Sequence, residues 1–180
     1  MKMKMKNSTK LVAIAIAAVA TFFGTNVKAQ DSNPWRLGIG LEAGAPTGNM
    51  HDYSSFELGG TARLQYGADK GLAWTLTSGY YNMFAKNVDL GNGTTIKGPD
   101  IGVVPVKLGI KAYFAPSFYF GAEAGAGFET NSGGSTKLIL SPGLGWSNTS
   151  WDVGARYENF SGQGNNYGLA GLRIAYGFGL

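Results

Sequence analysis

His51 is the only histidine of the 180-residue chain, and in the stretch NMHDYSS it has Asp52, Ser54 and Ser55 within four residues of it. An imidazole beside a carboxylate and a hydroxyl can form a general base and an activated nucleophile, if the fold brings them within hydrogen-bond reach. The plainer alternative is a solvated loop histidine, and no thiol offers another nucleophile because the chain has no cysteine. Asp52, Asp89 and Asp100 could gather round a divalent cation, which takes oxygen ligands, but three acids spread over two polar segments read first as solvated charge. GIGLEAG at 38–44 and GAEAGAGFE at 121–129 have the glycine density of dinucleotide loops; each alternates as a strand and opens no helix, so the context for nucleotide binding is missing. The expectation is therefore no metal, no cofactor and no catalytic residue.

A larger set of reactive side chains sits in a regular pattern. FYFGAEAGAGFE, residues 118–129, divides at every second residue into Phe118, Phe120, Ala122, Ala124, Ala126 and Phe128 on one side and Tyr119, Gly121, Glu123, Gly125, Gly127 and Glu129 on the other. Only a period of two makes that division clean, which is the signature of a β-strand. The same alternation marks seven further segments, near 35–44, 56–66, 72–80, 104–114, 137–146, 151–158 and 170–180, and no helical period appears between them. Pro105 and Pro142 each remove a ladder hydrogen bond, which predicts a place near the rim for the first and a bulge around the second.

The chain begins MKMKMKNSTK, continues with the apolar run 11–24 and ends this segment with Val27 and Ala29 in TNVKAQ. A basic start, a short apolar core and small residues before a cleavage point describe a secretory signal peptide, and the run falls short of the roughly 20 residues a spanning helix needs. Residues 1–29 are thus expected to be a leader and 30–180 a single β domain. The leader holds five of the 15 Lys and Arg and none of the 11 Asp and Glu, so the remainder carries 10 minus 11, or −1. The basic balance of the whole chain is no argument for nucleic-acid binding, which needs clustered cations on the folded domain.

Long polar connections at 45–55, 81–100, 130–136 and 160–166 alternate with short ones at 67–71, 115–117 and 147–150. Membrane barrels have this asymmetry, with short periplasmic turns and longer outer loops. The charges agree with it. No Asp, Glu, Lys or Arg falls on the apolar parity of any strand, whereas Arg36, Arg63, Lys107, Lys111, Arg156 and Arg173 share the other parity with Glu42, Glu57, Glu123, Glu129, Asp152 and Glu158. A soluble sandwich or lipocalin would put its charges outside. Balanced charge on a small, glycine-rich face instead predicts ion pairs inside a narrow lumen, with the apolar face toward lipid and aromatics such as Trp35, Tyr66, Phe114, Trp151, Tyr176, Tyr80 and Phe128 at its two edges.

The alternating strands, the leader, the long outer loops and the final strand LRIAYGFGL together resemble the small OmpA/OmpX-like outer-membrane β-barrel family. That resemblance implies an all-β, eight-stranded antiparallel up-and-down transmembrane barrel in the outer membrane. It also implies an assembly signal on the last strand, here Tyr176, Phe178 and Leu180, with the aromatic terminus of the family replaced by leucine. Its partners would be outer-membrane lipids, the barrel-assembly machinery and a surface ligand of the outer loops. Some barrels of this size modify lipid A with His and Ser, but the deacylase type carries them close together on a late strand, and the palmitoyltransferase type has a helix before its barrel. Three function classes remain: a non-catalytic barrel with a plugged lumen that serves envelope structure, adhesion or surface contact; a narrow, porin-like channel for small solutes; and a lipid A-modifying enzyme.

Overall fold

The computed structural model describes residues 34–67, 71–89, 95–162 and 166–180; residues 1–29, expected to be a leader, lie outside the described residues. Eight long strands, β1 (Trp35–Thr47), β2 (Ser54–Tyr66), β3 (Leu72–Ala85), β6 (Ile101–Ala115), β7 (Phe118–Glu129), β8 (Thr136–Ser147), β9 (Trp151–Ser161) and β10 (Tyr167–Gly179), form one closed barrel. Each pairs antiparallel with the next, and β1 closes the ring on β10 from Arg36↔Gly179 to Thr47↔Gly168. A single helical turn, α1 (Met50–Tyr53), and a small hairpin of β4 (Asn87–Asp89) and β5 (Thr95–Lys97) ornament the long loops.

The period-two pattern decides which way each side chain faces. Leu41, Leu108, Leu172 and Ile174 lie on the outward parity and are exposed, Leu41 by 71% and Leu108 by 67%, while Glu42, Lys107 and Arg173 beside them are buried. Leu37, of outward parity as well, is covered and stands in register between Leu64 and Phe178. An exterior of large apolar side chains around an interior of charges is the inverse of a water-soluble barrel and suits a bilayer. Aromatic rings cluster at the short-turn end of this belt, with Trp35 against Tyr66 at 4.7 Å, Trp151 against Tyr176 at 5.3 Å and Phe114 against Phe120 at 4.5 Å.

Three expectations need correction, and one, the rim position of Pro105, holds. The strands run further toward the long loops than the alternation suggests: residues 81–85 belong to β3 and 160–161 to β9, because inward positions there turn apolar and the pattern fades. Ser54 and Ser55, placed in a loop by the sequence, open β2, and a register shift falls between Ser54 and Phe56. Pro142 produces no bulge. The β8–β9 ladder skips Ser141 and Pro142 and resumes in the same register from Leu140↔Asn159 to Gly143↔Arg156, so the missing N–H is accommodated by omitting bonds rather than inserting a residue. Pro105, near the loop end of β6, likewise faces a gap in the β3 ladder between Ser78↔Val106 and Tyr81↔Val103 while keeping its pairing with Gly127.

Candidate functional site: lumen and outer mouth

An eight-stranded barrel is only just wide enough inside for side chains, so long charged residues need space opposite them. Register supplies it. Arg63 lies across from Gly38, Lys107 from Gly125, Lys111 from Gly121, Glu123 from Gly109, Glu42 from Gly59, and Arg156 from both Gly171 and Gly143. At Gly109 an added Cβ would stand 2.6 Å from Glu123 Cγ, and at Gly125 it would stand 2.0 Å from the Val106 carbonyl oxygen.

In that space the charges join into a closed ring of alternating sign. Arg63 pairs with Glu123 at 3.1 Å, Glu123 with Lys107 at 3.3 Å, and Lys107 with Glu158. Glu158 meets Arg156 at 3.1 Å, Arg156 meets Glu42, and Glu42 meets Arg173 at 3.2 Å. Asp152 completes the circuit, 3.9 Å from Arg173 and 3.8 Å from Arg63, and also pairs with Lys111. Hydroxyls on the same face take up part of the remaining bonding capacity. Thr77 donates to Glu123 at 2.6 Å and accepts from Arg63 at 2.9 Å; Thr61 donates to Glu42 at 2.5 Å and accepts from Arg173 at 3.1 Å; Tyr119 donates to Asp152 at 2.7 Å. A network satisfied on most sides can keep charges out of water at tolerable cost, whereas a lone buried charge costs several kcal/mol. Voids of about 40 and 10 Å³ remain within this ionic layer.

Three of the twelve sequence candidates stand outside the ring. Arg36, near the short-turn end, donates from Nη2 to the Asn148 carbonyl. Glu129, near the loops, accepts from the Ser135 N–H at 3.0 Å and the Ser135 hydroxyl at 2.9 Å. Glu57 is fully buried, and neither carboxylate oxygen has a hydrogen-bond partner among the described residues. It occupies a niche left by glycines: a Cβ on Gly44 would lie 3.0 Å from one of its oxygens and a Cβ on Gly59 2.9 Å from the other. Of the assembly candidates, Tyr176 and Phe178 stack edge to face at 5.0 Å on the outer surface, and the Leu180 N–H bonds to the Trp35 carbonyl.

Above the ring, toward the long loops, the lumen changes character. Tyr81, Met83, Val103, Ile139, Phe160, Tyr167 and Leu169 pack into a buried apolar cluster, with Phe160 stacked on Tyr167 at 4.8 Å and Met50 and Ile101 against its edge. Tyr81 ties the layers together, because its ring belongs to the cluster while its hydroxyl accepts from Lys107 at 3.0 Å. The sequence candidates did not include this cap. Its signal was present as apolar residues on the inward parity at the loop ends of β3, β6, β8, β9 and β10.

Among the described side chains, to which that of Asp89 does not belong, the loop candidates do not converge. The side chain of His51 is exposed, and the hydroxyl of Ser54 is committed to the Phe84 carbonyl at 2.9 Å. Asp100 accepts the Ala85 N–H at 2.9 Å and pairs with Lys97 at 3.2 Å, and these two donors hold its carboxyl below the ordinary carboxylate range. Among the described residues no cluster of three or more acids, histidines or cysteines forms a metal site.

No protein-family model matches the chain, and no curated protein does. Solved structures do. The chain is similar to the Yersinia pestis outer-membrane protein Ail in a phospholipid nanodisc, at 15% identity and a TM-score of 0.53 over 78% of this chain and 99% of that one. It is equally similar to the crystal structure of Ail, the attachment invasion locus protein, at 15% identity and 0.54 over 80% and 97%. The fold is that of the small eight-stranded outer-membrane barrels, and the lipid-facing exterior agrees with it.

Proposed function

We propose that the protein is a non-catalytic, integral outer-membrane barrel that does not conduct, and that it acts through its outer loops and the mouth they enclose, in envelope structure, adhesion or contact with a surface ligand. The observation that carries this is the filling of the lumen in two stacked layers, a ring of ion pairs beneath an apolar cap. The voids of about 40 and 10 Å³ left in the ionic layer are far below the roughly 300 Å³ at which small-molecule sites begin, which is room for waters and not for a bound solute. Residues 30–180 would be the mature domain, with Tyr176, Phe178 and Leu180 read by the assembly machinery and the apolar belt in contact with outer-membrane lipids. Ail is named for attachment and invasion; at 15% identity that likeness supports the scaffold, and a role at the cell surface suits a barrel whose interior is closed.

Planar-bilayer conductance of residues 30–180, refolded and checked by heat-dependent gel mobility, tests this. A folded protein that gives no current is the expected result. Discrete, steady steps would overturn the closed lumen and favour a narrow channel.

A further inference from the structure

At the loop end of the barrel, above the cap, lies a cavity of about 350 Å³ bordered by Met50, Tyr53, Met83, Lys86, Pro99 and Ile101. That is within the lower range of small-molecule sites, about 300–1,000 Å³. Its position is inside the mouth and not on the lipid face: Met83 is buried in the cap, and Ile101 and Met50 pack against it, so the cap is the floor. Met50 and Tyr53 of α1 and the Gly98–Pro99 segment border it on the loop side.

Two features of the lining select a ligand class. Met50 and Met83 are the only methionines beyond residue 5, and both border this one cavity. Unbranched, polarizable thioethers adapt to flexible apolar guests better than branched side chains do. The remaining lining is almost entirely carbon, with one ammonium at its edge. Lys86 donates to the His51 carbonyl and, unlike Lys97, Lys107 and Lys111, has no carboxylate partner among the described side chains, to which that of Asp89 does not belong. An apolar cleft with one cation at its rim complements a molecule with an aliphatic chain and a negative head.

We propose that this cavity is a binding site for a single-chain anionic amphiphile of the fatty-acid type, its chain among Met50, Met83 and Ile101 and its head at Lys86, entering from outside the cell. The site rests on the closed-lumen function above only in that the cap is its floor.

The test uses the barrel in zwitterionic nanodiscs with methyl-labelled methionine and isoleucine, titrated with decanoate. Saturable shifts of both Met50 and Met83 are expected, with lipid-facing Ile174 unmoved at saturation. Lys86→Gln should weaken decanoate by about two- to fivefold, the worth of an exposed ion pair, while leaving decanol binding unchanged. Ala85→Phe, which fills the cavity, should abolish both. Methionine methyls that do not move, shifts that follow Ile174 and so report bilayer partition, or equal decanoate affinity in parent and Lys86→Gln would each overturn the proposal. Shifts produced by anionic phospholipid without decanoate would overturn entry from the aqueous side. Conductance separates the two claims: current steps with saturable methyl shifts would remove the closed lumen and keep the site, and silence with unmoved methyls would do the reverse.

Discussion

Glu123→Leu should be among the most damaging single changes in the lumen. Glu123 accepts from Arg63 at 3.1 Å and Thr77 at 2.6 Å, and pairs with Lys107 at 3.3 Å. Leucine breaks the ring there and leaves five buried cations facing three acids where there were four. Lys107 keeps Glu158, but Arg63 is left with the Thr77 hydroxyl and with Asp152 at 3.8 Å. Removing one partner of a buried pair costs about 3–5 kcal/mol, since the other charge stays out of water. Arg173→Leu is a gentler change, because Glu42 retains Arg156 and Thr61 while Asp152 retains Lys111 and Tyr119. There the loss is of the order of charged hydrogen bonds, about 1.5–3 kcal/mol. Urea unfolding in lipid vesicles, followed by the fluorescence of Trp35, Trp74, Trp146 and Trp151, reads both. With an m-value of about 2 kcal/mol/M, the Glu123 variant should lower the midpoint by roughly 2 M. Arg63→Leu added to Glu123→Leu should recover about 0.5–3 kcal/mol of the loss, the range for groups in direct contact. A Glu123→Leu barrel within about 0.5 kcal/mol of the parent, or one more stable than Arg173→Leu, would refute the ring as a stabilising unit.

The exterior, the lumen glycines and the loops make further predictions. Leu108→Arg, at the middle of β6, should cost about 2–4 kcal/mol in the same unfolding assay, and Trp35→Arg, at the short-turn edge, about 0–1, since the penalty for a cation on the lipid face falls with distance from the midplane. Gly125→Val places carbon within 2.0 Å of the Val106 carbonyl and 2.6 Å of Lys107 Cα, so it should cost at least about 1–3 kcal/mol by overpacking and slow refolding on gels. Asp100, with its carboxyl lowered by the Ala85 N–H and Lys97, contributes order to the loop above its unfolded pKa and loses that contribution as pH falls through its lower folded pKa. The Ala85 amide proton resonance should therefore be constant from neutral pH downward and titrate with a midpoint below 3.8, the ordinary value for that carboxyl. His51→Asn should leave lipid A acylation unchanged when the protein is expressed, as judged by mass spectrometry; loss of a modified species would revive the catalytic alternative.

The strand count, the closure and the direction of every ring member could be read from the sequence, because a period of two is local and the charges fall on a single parity. Pairing could not. Whether Glu123 meets Arg63 or Arg173 depends on strand stagger around the barrel, and that is fixed by the whole closed ladder rather than by any segment. Glu57, Glu129 and Arg36 share the parity of the ring yet lie too far along their strands to join it. The cap was hidden for a different reason. In KLILSPG, three apolar residues in succession mask that Ile139 faces inward, and Tyr81, Met83 and Phe160 follow the point where alternation between apolar and polar ceases.

That loss of alternation is informative in itself. A lumen that stayed polar to its outer end would let water reach the ring, where a high dielectric reduces each ion pair to about 1 kcal/mol. In the proposed plugged lumen, seven buried apolar residues across five strands exclude water from that end, so the same Lys107–Glu158 contact works at a lower effective dielectric. The cap in turn cannot rest directly on charges without a group that satisfies both sides. Tyr81 is that group, with its ring among Met83, Val103 and Ile139 and its hydroxyl on Lys107 and Arg156. Polar residues in place of the cap would weaken the ring, and an apolar core in place of the ring would leave a uniform plug with nothing to fix strand stagger. On the proposed reading, the two layers close the barrel at its centre and leave it free to vary at its outer rim, which is where the long loops, α1 and the methionine-lined cavity are found.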